Sequence, residues 1–206
     1  MLVKKIKKYI TIELIIVAIA QGLYLLQGVI QNKIFSSFFD VSVYGEWALL
    51  TSLYTLISMI PFSAVDQGVY RLTPTCKDEK ERKKLYGTVA ILYFSCFLVY
   101  SLLFFGGTIV FSEENFFLNE YVAFFLLYSF TEIIKNTFVA IYNVDRKRKK
   151  VLLVRTIGIV SRTALLVLLY MFGNFTIKNV LLILVVTNIL IILVCMDVVK
   201  KNIIKN

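Results

Sequence analysis

The chain contains no histidine, only two prolines and nine glycines among its 206 residues. Without His, the commonest general base and the commonest metal ligand are both missing. The three cysteines, Cys76, Cys96 and Cys195, stand far apart and form no C-x-x-C or other metal-ligand spacing. They read as small packing residues rather than as a disulfide framework. No G-x-S-x-G elbow occurs, and the acidic pair Glu113–Glu114 reads as a solvated link with no catalytic partner. An enzyme, a metal centre and a cofactor are therefore not expected. The scarcity of Pro and Gly leaves little of the chain for turns. Acidic residues are also few, 13 against 23 Lys and Arg, which gives a formal net charge of +10.

What is present in excess is apolar surface. Hydrophobic residues make up 59% of the chain, aromatics 15%, and the mean hydropathy is +0.79. Soluble domains hold about 45–50% apolar residues. The excess falls in runs of about 20 residues, long enough at about 1.5 Å per residue to cross a hydrocarbon core of about 30 Å. Six spans are expected, at roughly 10–34, 44–66, 85–111, 120–143, 151–172 and 177–198, forming one all-α bundle over residues 1–206. The opening MLVKKIKK resembles the basic start of a signal peptide, but its apolar stretch is long and no small-x-small cleavage site follows. It is read as a retained helix.

The basic residues alternate between connections. Lys4, Lys5, Lys7 and Lys8 precede the first span, and Arg71, Lys77, Lys80, Arg82, Lys83 and Lys84 follow the second. Arg146, Lys147, Arg148, Lys149 and Lys150 follow the fourth, and Lys200, Lys201 and Lys205 follow the sixth. The opposite connections, SSFFDVSV, SEENFFLN and GNFTIK, are nearly free of Lys and Arg. By the positive-inside rule this pattern predicts both termini inside. It also turns the basic runs into topology signals that touch anionic headgroups, and argues against a nucleic-acid partner. The run KDEKERKK (77–84) reads as a solvated helical connection.

Inside the spans, a helical wheel collects polar residues into stripes. The first span aligns Glu13, Val17, Ala20, Gln21, Tyr24, Gln27, Gly28 and Gln31 on one face, opposite Ile15, Ala18, Ile19, Gly22, Leu25, Leu26 and Val29. The second aligns Tyr44, Thr51, Thr55, Ser58 and Asp66; the fourth aligns Tyr121, Tyr128, Thr131, Glu132, Lys135, Asn136, Tyr142 and Asn143; the fifth aligns Arg155, Gly158 and Arg162. The third and sixth are much more uniformly apolar, though Asn188 breaks the sixth, and are expected to form the lipid-facing wall. Lipid cannot satisfy the stripes, so they must meet one another, water or a ligand. Pro61 is expected to kink the second span. Trp47, Tyr44, Phe38 and Phe39 are expected at the outer interface.

Depth sharpens the charges. The fourth and fifth spans form a hairpin with its tip near Lys147, and Glu132 and Arg162 each lie 15 residues from that tip. They share a level near the bilayer centre. A charge there costs about 2.5–3.5 kcal/mol on insertion scales, so Glu132 is expected to pair with Arg162 or with Lys135. One carboxylate facing two cations leaves positive charge over, which suits an anionic ligand, and Arg offers a fork for phosphate or carboxylate.

The segment KIFSSFFDVSVYGEWALLTSLYTLISMIPFSAVDQGVYRL (33–72) resembles the helix 1–2 region of bacterial polysaccharide-biosynthesis flippases of the multidrug/oligosaccharidyl-lipid/polysaccharide exporter superfamily. The similarity rests on a helix ending in Lys33, a short link, Tyr44-Gly45, an apolar helix, and Gly68 followed by Arg71. IYNVDRKRKKVLLVRTIGIVSRTALL (141–166) resembles the helix 4–5 junction of the same proteins. The resemblance implies two six-helix lobes around a central cationic cavity, in the bacterial plasma membrane. It implies translocation of undecaprenyl-pyrophosphate-linked oligosaccharide for surface polysaccharide. This chain supplies one such lobe, so a second lobe or a second copy is an expected partner. Lys33 and Arg71 match by position. Glu132, Lys135, Arg162, Gln21, Gln31 and Thr55 join them as expected substrate contacts from the stripes. A small-molecule or drug exporter of the same fold and a non-catalytic assembly subunit remain the alternatives.

Overall fold

The computed structural model describes residues 2–57, 62–110 and 118–199. Ser58, Pro61, Glu113, Glu114 and the lysines of the C-terminal tail lie outside the described residues, as do the side chains of Glu13 and of Lys4, Lys5, Lys7 and Lys8. All regular structure among the described residues is helical: α1 (Leu2–Phe38), α2 (Val41–Ile57), α3 (Ser63–Leu72), α4 (Glu79–Val110), α5 (Leu118–Val144), α6 (Arg148–Met171) and α7 (Ile177–Val199), with a short 3₁₀ turn at Thr73–Thr75. Among the described residues five segments are long and apolar enough to cross a membrane: Leu14–Phe38, Glu79–Gly107, Tyr121–Val144, Arg148–Met171 and Ile177–Cys195. This is the pattern of a multi-pass membrane protein. The expected second span, 44–66, corresponds to α2 and α3 on either side of residues 58–61. With 17 and 10 residues, neither joins the five.

Local chemistry sets the helix ends. The charged run before α4 is itself the start of the helix. Asp78 accepts from the Glu81 amide at 2.7 Å, and the Glu81 carboxylate reaches back to the Lys77 amide at 2.8 Å, a reciprocal capping box. Two helices stop in left-handed residues. Arg146 (φ 55°) ends α5, with Lys147 N–H donating to Tyr142 O at 2.9 Å and Arg146 N–H to Asn143 O at 3.2 Å. Gly173 (φ 69°) ends α6 with the same pair of reversed bonds, to Leu169 O and Tyr170 O. Both are Schellman stops, and only the second uses the residue that adopts this conformation without steric cost. The α5–α6 hairpin thus turns at Asp145–Lys147, at the expected tip.

The helices pack around α5, α6 and α7. Helix α7 lies on α5 and α6, α1 lies along α6, α3 seats on α4 and α5, and α2 touches α1 and α5. One core cluster joins Phe35, Trp47, Leu50, Phe125, Leu166, Leu181 and their neighbours; a second joins Phe62, Val69, Tyr86, Tyr93, Ile141, Tyr142, Val154 and Cys195.

Two expectations are corrected here. The sixth expected span is outer wall on one face only, where Leu182, Val186, Ile189, Leu190, Leu193 and Val194 are exposed. In α7, Val180, Leu181, Leu184, Val185, Thr187, Asn188, Ile191 and Cys195 are all buried. A helix that is apolar all round is as well suited to the centre of a bundle as to lipid, because lipid tails and leucine side chains are equally apolar. The third expected span, α4, does face outward, with Ile91, Phe94, Leu102 and Leu103 exposed. Trp47 and Phe39 are also not interfacial anchors. They are buried against Phe35, with the Phe35 and Trp47 rings 4.6 Å apart, while Phe38 stacks on Tyr170 at 3.7 Å. The α1–α2 and α6–α7 turns are thereby drawn together through Phe175, at ring distances of 4.8 Å to Phe39 and 5.5 Å to Phe38.

Candidate functional site

Between α1, α5 and α6, with Tyr54 of α2 at its edge, lies a cleft of about 360 Å³. Its polar lining comes from the expected stripes: Tyr24, Gln27 and Gln31 from α1, Tyr128, Glu132, Lys135 and Asn136 from α5, and Arg155 and Arg162 from α6. Spacings of three, four and seven residues place these groups on one face of each helix. A second space of about 180 Å³ continues toward Phe35 and Trp47 and shares Gly28, Gln31, Tyr128 and Arg162 with the first.

The innermost wall of the cleft is a closed polar network. Arg162, 5% exposed, donates from Nη2 to Glu132 Oε2 at 2.8 Å and to Asn188 Oδ1 at 2.5 Å, and from Nε to Thr187 Oγ1 at 3.3 Å. Asn188 Nδ2 donates to Thr131 Oγ1 at 3.2 Å. Lys135 Nζ donates to Glu132 Oε1, one turn away on α5. Both expected partners of Glu132 therefore pair with it, one per carboxylate oxygen. The hairpin count placed Arg162 at the right level because α5 and α6 run antiparallel from a short turn. It did not find Thr187 and Asn188. Their signal was present as two adjacent polar residues in the run LLILVVTNILIILVC, masked by the reading of that helix as wall.

At the mouth of the cleft the situation is different. Arg155, two turns from Arg162 on α6, donates from Nη1 to Ala20 O at 2.6 Å and to Gln21 Oε1 at 3.1 Å. Its guanidinium lies over the Tyr24 ring, 5.2 Å from the centroid. Among the described residues it pairs with no carboxylate, and Nη2 and Nε have no acceptor. The lining as a whole carries three cations, Lys135, Arg155 and Arg162, against the single carboxylate of Glu132.

Of the expected substrate contacts, Gln31, Glu132, Lys135 and Arg162 come together in this cleft, and Gln21 stands beside it through Arg155. Lys33 and Arg71 are exposed and lie off the lining. Thr55 is also off it and returns its hydroxyl to Thr51 O at 2.8 Å. Arg155 and Tyr54 belong to the lining but were not among the expected contacts. Arg155 was legible as the residue one heptad before Arg162, whereas Tyr54 had no signal apart from its neighbourhood to Thr55. Among the described residues no group of His, Cys, Asp and Glu side chains could hold a metal ion. No family model, curated protein or solved structure matches the chain.

Proposed function

We propose that the chain is one lobe of an exporter that moves lipid-linked oligosaccharide across the bacterial plasma membrane for surface polysaccharide. In this reading α2 and α3 together complete a sixth span, both termini lie inside, and the basic connections face the cytoplasm. The observation that carries it is the excess of positive charge in a polar cleft lined by helices long and apolar enough to cross a membrane. A cleft with three cations and one carboxylate attracts a diphosphate head group, and its low-dielectric walls strengthen that attraction. Arg155 has two nitrogens with no acceptor among the described residues, placed to fork onto phosphate oxygens, with Lys135 on the facing helix. Arg162 instead holds α5, α6 and α7 together behind them. The glutamines and Asn136 offer the neutral donors and acceptors that sugar hydroxyls need, and the lipid tails stay in the bilayer.

A single lobe leaves Gln21, Tyr24 and Asn136 exposed within spanning helices. Lipid offers these groups no hydrogen bond. A second lobe or a second copy facing this side would enclose them, and rocking of the two about the cleft would expose it to each side in turn.

The test is made in the source cell. Arg155→Ala and Lys135→Ala, each at normal protein level, are expected to abolish surface polysaccharide and to accumulate its lipid-linked precursor. Normal polysaccharide in both variants would remove this reading. Altered efflux of small molecules with intact polysaccharide would assign the same cleft to a drug exporter.

A further inference from the structure

Outside the cleft lining, α3 seats on α4 and α5 through a largely apolar layer, which holds the partly buried carboxylate of Asp66. Asp66 Oδ1 accepts a hydrogen bond from the hydroxyl of Tyr93, itself 8% exposed and stacked on Phe62 at 5.7 Å between ring centroids. Tyr93 lies nine residues past Lys84, the last cation of the run that opens α4. That is about 14 Å of helix, close to half of a hydrocarbon core. Glu46 on α2 is answered in the same way, its Oε2 accepting from the Tyr121 hydroxyl at 3.4 Å, whereas two other carboxylates meet cations. Glu132 takes two cations, and Asp145, at the turn, takes Arg82 at 3.6 Å and Lys147 at 2.7 Å. Asp66 has no cation within reach among the described residues, and Tyr93 is its one donor; Oδ2 has none.

The described polar groups packed around the Asp66–Tyr93 pair are hydroxyls. From α4 there is Tyr86, from α5 Tyr142 and the hydroxyl of Thr137 beside Tyr93, and from α3 itself Tyr70. Arg71, on α3 itself, is exposed, and Arg82 and Asp145 pair with each other at the end of the bundle. An ionised carboxylate in such a layer is costly, and the cost ends when it is neutralised. A sodium ion would need several more oxygens than one carboxylate, one phenol and one hydroxyl supply. A proton needs only the open oxygen.

We propose that Asp66 is a proton-binding site, in which Oδ2 takes one proton from water while Oδ1 keeps its bond to Tyr93. The carboxylate plus a proton becomes the neutral acid, and release reverses the step. Because Asp66–Tyr93 is a polar tie between α3 and α4, proton binding alters how α3 is seated. The site stands apart from the cleft and does not depend on what the cleft carries.

Infrared difference spectroscopy of the purified protein during a pH titration tests this. The expected result is a carboxylic-acid C=O band that exchanges slowly with deuterium, is lost in Asp66→Asn, and moves in frequency in Tyr93→Phe, where the acid keeps its proton but loses the phenol. A band that survives Asp66→Asn unchanged would overturn the assignment. So would the absence of any slowly exchanging band in the wild type across the range in which it stays folded. The Tyr93→Phe measurement keeps the question answerable if Asp66→Asn does not fold, since an unmoved band then refers to a different carboxyl.

Discussion

Arg162 and Arg155 occupy one face of one helix, about 10.5 Å apart along its axis, and are used in opposite ways. Arg162 is nearly sealed, and its bonds run to α5 and α7, ending on a carboxylate, an amide and a hydroxyl. Arg155 is half-buried and its bonds run to α1, ending on a backbone carbonyl and a side-chain amide, both neutral. The same side chain therefore serves as a clamp where a carboxylate is supplied and remains an available cation where none is. Depth alone does not separate the two roles. Partner chemistry does: a buried charge whose counter-charge is fixed by neighbouring helices has little left to offer a ligand, whereas one held by neutral oxygens retains its full charge.

The contrast breaks most completely at Glu132. Removing it by Glu132→Ala leaves Arg162 and Lys135 facing each other without a counter-ion in a buried site, and loss of one partner of such a pair costs about 3–5 kcal/mol. The expected outcome is a large fall in the thermal midpoint of the detergent-purified protein. Part of it should return in Glu132→Gln with Lys135→Met, which removes the surplus cation and keeps an acceptor for Arg162. A midpoint within error of wild type for Glu132→Ala would mean that the network holds nothing together.

Next in size is Arg162→Met. Glu132 keeps Lys135, but Asn188 Oδ1 and Thr187 lose their charged donor, and hydrogen bonds to charged groups are worth about 1.5–3 kcal/mol each before the gain from an apolar replacement. A destabilisation of about 2 kcal/mol is expected, with α7 becoming the most rapidly exchanging of the three central helices by hydrogen exchange. Unchanged protection of α7 would contradict the clamp.

Between the two arginines sits Gly158, buried against α7. A Cβ there would meet Ile191 Cδ1 at 3.2 Å, the end of a flexible side chain. Gly158→Ala is expected to cost about 1 kcal/mol as Ile191 gives way, a small overpacking effect read from the same thermal midpoint. Loss of several times that amount would show that α6 and α7 cannot separate at all at this level, and that the clamp owes more to packing than to Arg162.

Much of the cleft was readable from spacing. The residues at 128, 132, 135 and 136, the pair 155 and 162, and the glutamines of α1 fall on single helix faces, and periodicity is a direct consequence of helix geometry. The level shared by Glu132 and Arg162 followed from a short turn and two equal counts. What spacing could not give was which helices enclose which. Hydropathy reports the preference for an apolar surround and is blind to whether that surround is lipid or protein, so α4 and α7 looked alike although one faces mostly outward and the other buries a whole face against α5 and α6. Trp47 failed for a related reason. An aromatic residue near a helix end suits the headgroup region and suits a turn folded onto its neighbours, and only the approach of Phe35 and Phe175 decides between them. Asp66 was visible as a charge in an apolar region, but its lack of a cation among the described residues is a property of three packed helices and not of any window of sequence.

The smallest effect on stability is expected at Arg155, and that is where it is most informative. Its two neutral bonds and its stacking on Tyr24 are partly exposed, so Arg155→Gln is expected to lower stability by less than about 1 kcal/mol. Ligand binding should respond in the opposite proportion. Inorganic pyrophosphate, titrated calorimetrically into the purified protein, is expected to bind wild type in a manner weakened by added salt, because the site is open enough to be screened. Arg155→Gln should weaken that binding about tenfold, the equivalent of about 1.4 kcal/mol. Arg155→Lys should fall between the two, retaining the charge while losing the fork. If instead Arg155→Gln binds as wild type while remaining as stable, the free nitrogens of Arg155 are not where an anion is held. The surplus charge of the cleft would then have to act through Lys135, whose one described partner is the carboxylate it shares with Arg162.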